Sequence, residues 1–181
     1  MIKSQIRNKI IKVRNKKFDK NLKIDLDKFI SFLKIKKLNS KNVGGYYPSN
    51  YEIDDLELLV LLKKKNFKVS LPIIKKNNQM NFYNWSINDP LKINKFGIPE
   101  PLGSKIIYPD ILLVPLVAYD GHLNRLGYGG GYYDRYIEKL EKIKKVIKIG
   151  LAFSFQKISS IPINQYDKKL DFIVTEKEIL Q

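Results

Sequence analysis

The run Ile111-Leu-Leu-Val-Pro-Leu-Val117 is the feature that most restricts what this chain can become. An unbroken apolar stretch of this length falls far short of the roughly 18–20 residues that span a bilayer, and it reads as a strand buried on both faces. Covering both faces of a sheet takes helices, and the flanking sequence supplies them. Residues 2 to 17 read as an amphipathic helix, with Ile2, Ile6, Ile10 and Val13 on one stripe. Lys3, Arg7 and Arg14 fall within about 40° of one another beside that stripe. Leu26 to Leu38 reads as a second helix with Phe29, Ile30, Leu33 and Leu38 inward, and Asp54 to Lys65 as a third, with acids in its first turn and lysines in its last. A fourth runs from about Tyr132 to Lys144. Strands are expected over Val43–Tyr47, Phe67–Ile74, Met80–Trp85, Lys145–Phe153 and Leu170–Thr175. Ile87 to Lys105, with three prolines and two glycines, reads as an irregular loop. Helices alternating with apolar strands imply an α/β layered fold with a mostly parallel sheet, and no linker divides residues 1–181 into separate domains.

Composition narrows the chemistry. The chain has no cysteine and a single histidine, His122, so disulfides, zinc sites, iron–sulfur clusters and thiol nucleophiles are excluded, and any metal is a hard ion held by oxygen. One histidine and no G-x-S-x-G elbow leave little room for a hydrolase triad. The amino-terminal segment builds no continuous apolar region and favours Lys and Asn over Arg and Ser, so the chain is read as cytoplasmic and complete. Its 34 Lys and Arg against 18 Asp and Glu give a net charge of +16, of which residues 1 to 41 hold +11. That balance invites a nucleic-acid partner. Against it, 30 of the 34 cations are lysine, and Lys, Ile and Asn fill 70 positions, a pattern of A- and T-rich coding in which most lysines are solvated surface. In so lysine-rich a chain the informative cations are the four arginines, Arg7, Arg14, Arg125 and Arg135.

The segment Asp120-Gly-His-Leu-Asn-Arg125-Leu-Gly-Tyr-Gly-Gly-Gly-Tyr-Tyr-Asp134-Arg135 lies between a buried strand and a helix. Glycines in that setting leave main-chain N–H groups free to converge on an anion, with the helix N-terminus adding its positive end; a tight turn alone would also explain them. The segment is not a Walker A loop, and Tyr132 stands where a dinucleotide fingerprint has its third glycine. Arg125 and Arg135 bracket it, Tyr132 and Tyr133 add flat surfaces with polar tips, and Asp134 suits either Mg²⁺ or the helix dipole. An enzyme that positions a nucleotide for phosphoryl transfer fits this set, because that chemistry asks for geometry and charge neutralisation more than for a protein nucleophile.

Residues 114 to 135, VPLVAYDGHLNRLGYGGGYYDR, resemble the core motif of the 5-formyltetrahydrofolate cyclo-ligase (methenyltetrahydrofolate synthetase) family. Six further blocks extend the resemblance: KSQIR at 3–7, EID at 52–54, LPII at 71–74, FGIPEP at 96–101, GLAFSFQ at 150–156 and QYDKKLDFIVTE at 165–176. The resemblance implies a three-layer α/β/α fold of the NagB/RpiA/CoA transferase-like type. It also implies ATP- and Mg²⁺-dependent cyclisation of 5-formyltetrahydrofolate to 5,10-methenyltetrahydrofolate, through phosphorylation of the formyl oxygen. Lys3 and Arg7 then match phosphate-binding positions, and Arg125, Gly127, Gly129, Gly130, Gly131, Tyr132 and Tyr133 match the loop around ATP, with Arg125, Tyr132 and Tyr133 nearest the chemistry. Tyr47, Glu52, Phe96, Tyr128, the three consecutive glycines and Tyr132 match folate-facing positions. Asp134 and Asp167 match the Mg²⁺ ligands. Gly130 stands where some relatives carry Lys, and Tyr166 where bacterial relatives often have His. The implied partners are small molecules alone, with no membrane and no specific nucleic acid, for a monomer or weak homodimer. A nucleic-acid-associated module on the same scaffold is the second reading.

Overall fold

The computed structural model describes residues 2–38, 41–103 and 105–181. Its centre is an eight-stranded sheet in the order β12-β11-β10-β7-β1-β2-β3-β6. The strands are β1 (Asn42–Gly44), β2 (Lys68–Ile74), β3 (Met80–Asn84), β6 (Ile106–Ile107), β7 (Ile111–Pro115), β10 (Ile147–Leu151), β11 (Phe172–Val174) and β12 (Ile179–Leu180). The five central strands, from β11 to β2, run parallel, and β3, β6 and β12 are antiparallel additions at the two edges. The apolar run at 111–117 contributes the middle strand, as its composition demands. Ile111 and Leu113 enter one core with α2 (Leu26–Ile35) and α3 (Leu56–Lys64), whereas Leu112 and Val114 enter the other with α4 (Tyr132–Glu141). A period of two that sends both faces into apolar layers is why this strand shows no alternation. The α/β/α layering therefore follows the expectation.

Helix boundaries differ from the reading in an instructive way. Leu26–Leu38 stops as a helix at Ile35, because Lys37 takes a left-handed φ of 55° and the chain closes with Leu38 N–H to Leu33 O and Lys37 N–H to Lys34 O. This is a Schellman closure, in which Leu38 still packs on the core after leaving the helix. The end of α3 repeats it, with Asn66 left-handed at 66° and Phe67 N–H bonded to Leu62 O. Periodicity sees the packing residues and not the reversal between them.

Other expectations need correction. Val43–Tyr47 is a strand only to Gly44, and Lys145–Phe153 only over Ile147–Leu151. The proline-rich segment 87–105, of which Ser104 lies outside the described residues, contains a hairpin of β4 (Leu91–Ile93) and β5 (Pro99–Pro101) before β6. Its Asn94 side chain caps the turn by accepting from Phe96 N–H at 2.8 Å. The polar stretch after β7 likewise folds into a hairpin, β8 (Ala118–Tyr119) with β9 (Arg125–Leu126). Buried Asp120 fixes that turn, accepting from His122 N–H, both nitrogens of Asn124 and Ile161 N–H. Burial alone would raise the Asp120 pKa; these bonds hold it below the usual carboxylate range.

Helix α1 (Lys3–Lys17) lies outside the two sheet cores and packs Ile6 and Ile10 on Val117, Ala118 and Leu126 at the β8–β9 hairpin. The stripe is shorter than expected: Ile2 is 63% exposed and Val13 only half-buried, and the third inward position belongs to Arg14, at 1% exposure. Because β1, β7, β10 and β11 all point the same way, α1, the hairpin and the segment after β1 gather at their carboxyl ends. That edge is where an open parallel sheet offers its binding crevice.

Candidate active site

The glycine loop is open as an anion cradle in the way its sequence suggests. From Gly127 to Asp134 no main-chain N–H donates a hydrogen bond to another described residue, and the last three of these amides belong to the first turn of α4. A run of unsatisfied donors at a helix N-terminus suits phosphate oxygens. Two glycines are required by the backbone itself: Gly129 sits at φ 104° and Gly131, which starts α4, at φ 65°. A Cβ on Gly129 would also come within 3.3 Å of the Arg7 guanidinium carbon.

Cations surround this loop from elements far apart in the chain. Arg7 Nε donates to Gly127 O at 2.7 Å, while its two terminal nitrogens donate to no described residue. Lys3 Nζ pairs with Asp167 Oδ2 at 2.5 Å. Arg125 Nη2 pairs with Asp134 Oδ1 at 2.6 Å, and the same oxygen accepts from Lys168 N–H at 3.1 Å, which places residues 167 and 168 beside the start of α4. Burial pushes the Arg125 pKa down, opposed chiefly by Asp134. Arg135, which brackets the loop in sequence, ties it to a neighbouring turn: its Nε donates to Asn78 O at 3.1 Å and its Nη2 to Gly130 O. Tyr132 reaches the same turn through Asn78 Oδ1.

The other wall is built after β1. Asn50 and Tyr51 both adopt left-handed φ, 48° and 59°, an uncommon state for a bulky aromatic, and the reversal turns Glu52 inward to 7% exposure. Glu52 Oε2 accepts from Ser49 N–H and Oγ. Its pKa is raised, foremost by burial, with the Ser49 bond and the Arg14 charge pulling the other way. Tyr133 hydroxyl is buried with no partner among the described residues, and burial followed by Glu52 and Asp55 raises its pKa. Phe96, at the tip of the β4–β5 hairpin, meets Tyr132 edge-on at 6.3 Å and 82°. Tyr47 packs half-buried on the main core and makes no hydrogen bond to these groups among the described residues.

The residues expected to hold Mg²⁺ fit that ion in one specific sense. No group of three or more acidic or histidine side chains forms a cage among the described residues. Asp134 and Asp167 each commit one oxygen, to Arg125 and Lys3, and the other oxygen of each accepts from no described residue. Two carboxylates suit an ion that arrives with phosphate oxygens and water completing its octahedron. The sequence does not single out Ser49, Asn78 or Lys168 as site residues, and of the further groups here only Arg14 carries a signal, as arginine in a lysine-rich chain.

Residues 2–176 match the model of the 5-formyltetrahydrofolate cyclo-ligase family. The chain belongs to that family. It is 35% identical over 143 residues to the 5-formyltetrahydrofolate cyclo-ligase of Haemophilus influenzae, covering 75% of this chain and 76% of the relative. With the enzyme of the same name from Escherichia coli K12 it shares 31% identity, over 71% of this chain and 74% of the relative. The structure of Aquifex aeolicus 5,10-methenyltetrahydrofolate synthetase superposes with a TM-score of 0.76 at 32% identity, over 100% of this chain and 93% of that one. The Mycoplasma pneumoniae synthetase, at 24% identity and a TM-score of 0.74, shares the fold over 98% of this chain and 100% of that one. This cyclo-ligase family enzyme thus keeps the family's architecture along the described chain.

Proposed function

We propose that this chain closes 5-formyltetrahydrofolate to 5,10-methenyltetrahydrofolate with ATP as co-substrate. The observation that carries the reading is the run of undonated amides from Gly127 to Asp134, opened beside Arg7 and Arg125 and faced by inward Glu52. The amides and the free fork of Arg7 receive the triphosphate. Glu52 accepts N–H donors of the pterin ring, and Phe96 with Tyr132 makes an aromatic corner for its flat face. A formyl amide is a poor electrophile until its oxygen becomes a leaving group. The formyl oxygen attacks the γ-phosphorus and the β–γ bridging bond breaks, releasing ADP. The N10 lone pair then bonds to the formyl carbon, the carbon–oxygen bond breaks, and the departing phosphate takes the N10 proton. Holding both substrates in reacting order replaces the entropy a free encounter would lose, and Arg125 with the loop amides meets charge as it develops. Asp134 and Asp167 would hold Mg²⁺, which supplies neutralisation of phosphate charge. Tyr133, buried near Glu52 and Arg125 with no partner for its hydroxyl among the described residues, offers that hydroxyl to the substrate.

The test is absorbance of the purified chain with 5-formyltetrahydrofolate, ATP and Mg²⁺, read at the near-ultraviolet band of the conjugated product. An ATP-dependent rise is expected. ATP binding without any rise would overturn the reading. The nucleic-acid alternative draws on basic charge near the N-terminus, of which Lys3, Arg7 and Arg14 are engaged with Asp167 and the loop.

A further inference from the structure

Arg14 heads the largest fully buried side chains among the described residues. Its Nη1 donates to Leu116 O at 3.2 Å, its Nη2 donates to the Tyr128 hydroxyl, and its Nε donates to nothing described. No carboxylate pairs with it directly among the described residues. A buried guanidinium costs several kcal/mol of desolvation, and an apolar side chain of similar volume commonly packs there at no loss of stability. Its retention asks for a reason other than stability.

The Tyr128 hydroxyl supplies one. Because it accepts from Arg14, its own proton is free for a second acceptor, and the buried Glu52 carboxylate is the acid whose charge bears most on it. The loop phenol is thus bonded to a buried cation on α1 and neighbours a buried carboxylate after β1. The geometry points to Arg14 as a positioning residue for the folate side of the site: through the Tyr128 hydroxyl it fixes the Glu52 carboxylate inward and the Tyr128 ring against the loop, so the pterin N–H donors meet an acceptor already oriented. This inference rests on the cyclo-ligase reading above. The groups facing Glu52 are Arg14 from α1, Tyr128 from the loop, Ser49, Tyr46 and Asp55 from the segment around it, and Tyr133 from α4. Of these, Arg14 alone carries positive charge.

The experiment compares the native chain with Arg14→Met, Arg14→Lys and Tyr128→Phe in the methenyl absorbance assay, varying folate and ATP separately and repeating the series across pH. Arg14→Met should raise the KM for 5-formyltetrahydrofolate about tenfold or more, the loss of a charge-assisted bond, while the KM for ATP stays within about twofold. The acid limb of kcat/KM for the folate should move to higher pH, because Glu52 loses the cation that favours its charged form. Arg14→Lys should restore the acid limb without restoring the folate KM. Tyr128→Phe, at a side chain 40% exposed, should raise the folate KM with little movement of the limb. If Arg14→Met does not fold, Tyr128→Phe decides, and an unchanged folate KM overturns the inference. Equal rises in both KM values, or an acid limb that stays in place in Arg14→Met, also overturn it. A native chain that turns nothing over overturns the cyclo-ligase reading and this inference together.

Discussion

Arg125 joins two roles in one side chain, since it is 6% exposed, paired to Asp134, and placed at the loop where phosphate charge would develop. Arg125→Ala should lower turnover by about 10²–10³-fold in the absorbance assay, the usual effect of removing one transition-state donor. The buried pairing adds a second effect that sequence alone did not foresee: the same variant should lose about 1–3 kcal/mol in urea unfolding, because Asp134 keeps only the Lys168 N–H on that oxygen. Asp55 offers a cleaner residue-level test. It is fully buried, Oδ2 accepts from Tyr46 N–H at 3.2 Å, Oδ1 has no partner among the described residues, and burial raises its pKa well above the usual range. A carboxyl whose folded pKa exceeds its unfolded one stabilises the fold at acid pH, and that contribution disappears as pH rises toward the folded pKa. Asp55→Asn removes the dependence, so its melting temperature relative to the native chain should climb steadily from pH 4 to pH 8. A constant difference across that range would contradict the assignment. The positions of Lys3, Arg7, Arg125 and Asp134 were legible as a motif. That Lys3 holds Asp167 was not, because pairing between residues 164 apart has no local signature.

At the level of elements, the helices were legible from the 3.6-residue period and their last turns were not. Both α2 and α3 close through a left-handed residue that is not glycine, Lys37 and Asn66. An L-residue in that region is disfavoured by about 1–2 kcal/mol, with asparagine among the better tolerated. Lys37→Gly should therefore stabilise the chain by about 0.5–1 kcal/mol in denaturant titration, and Asn66→Gly by less. The β4–β5 hairpin was missed because Pro99 and Pro101 mark breaks in sequence, yet an isolated two-stranded ribbon tolerates proline wherever a ladder N–H is not needed. The β8–β9 hairpin hid behind its polar turn residues and Gly121, and that turn is held by four bonds to one aspartate rather than by any strand propensity.

For the molecule as a whole, the layer order was legible because β7 is apolar on both faces, whereas the docking of α1 was not, since its short apolar stripe specifies contact without specifying a partner. Ligand linkage tests that docking. Saturating Mg-ATP, near one hundred times its Kd, should raise the melting temperature by about 5–10 °C for a chain of this size. In Arg7→Ala the rise should shrink, because the fork that α1 brings to the loop is gone. The dependence of the loop on α1 also fixes a timetable. The three cations that α1 supplies are the first part of the site to leave the ribosome, and their partners at Gly127, Tyr128 and Asp167 are among the last. At roughly 5–20 residues per second, on the order of ten seconds or more of synthesis separate them. During that interval α1 has neither its apolar seat on the β8–β9 hairpin nor its hydrogen-bond acceptors, so its docking waits for the second half of the chain.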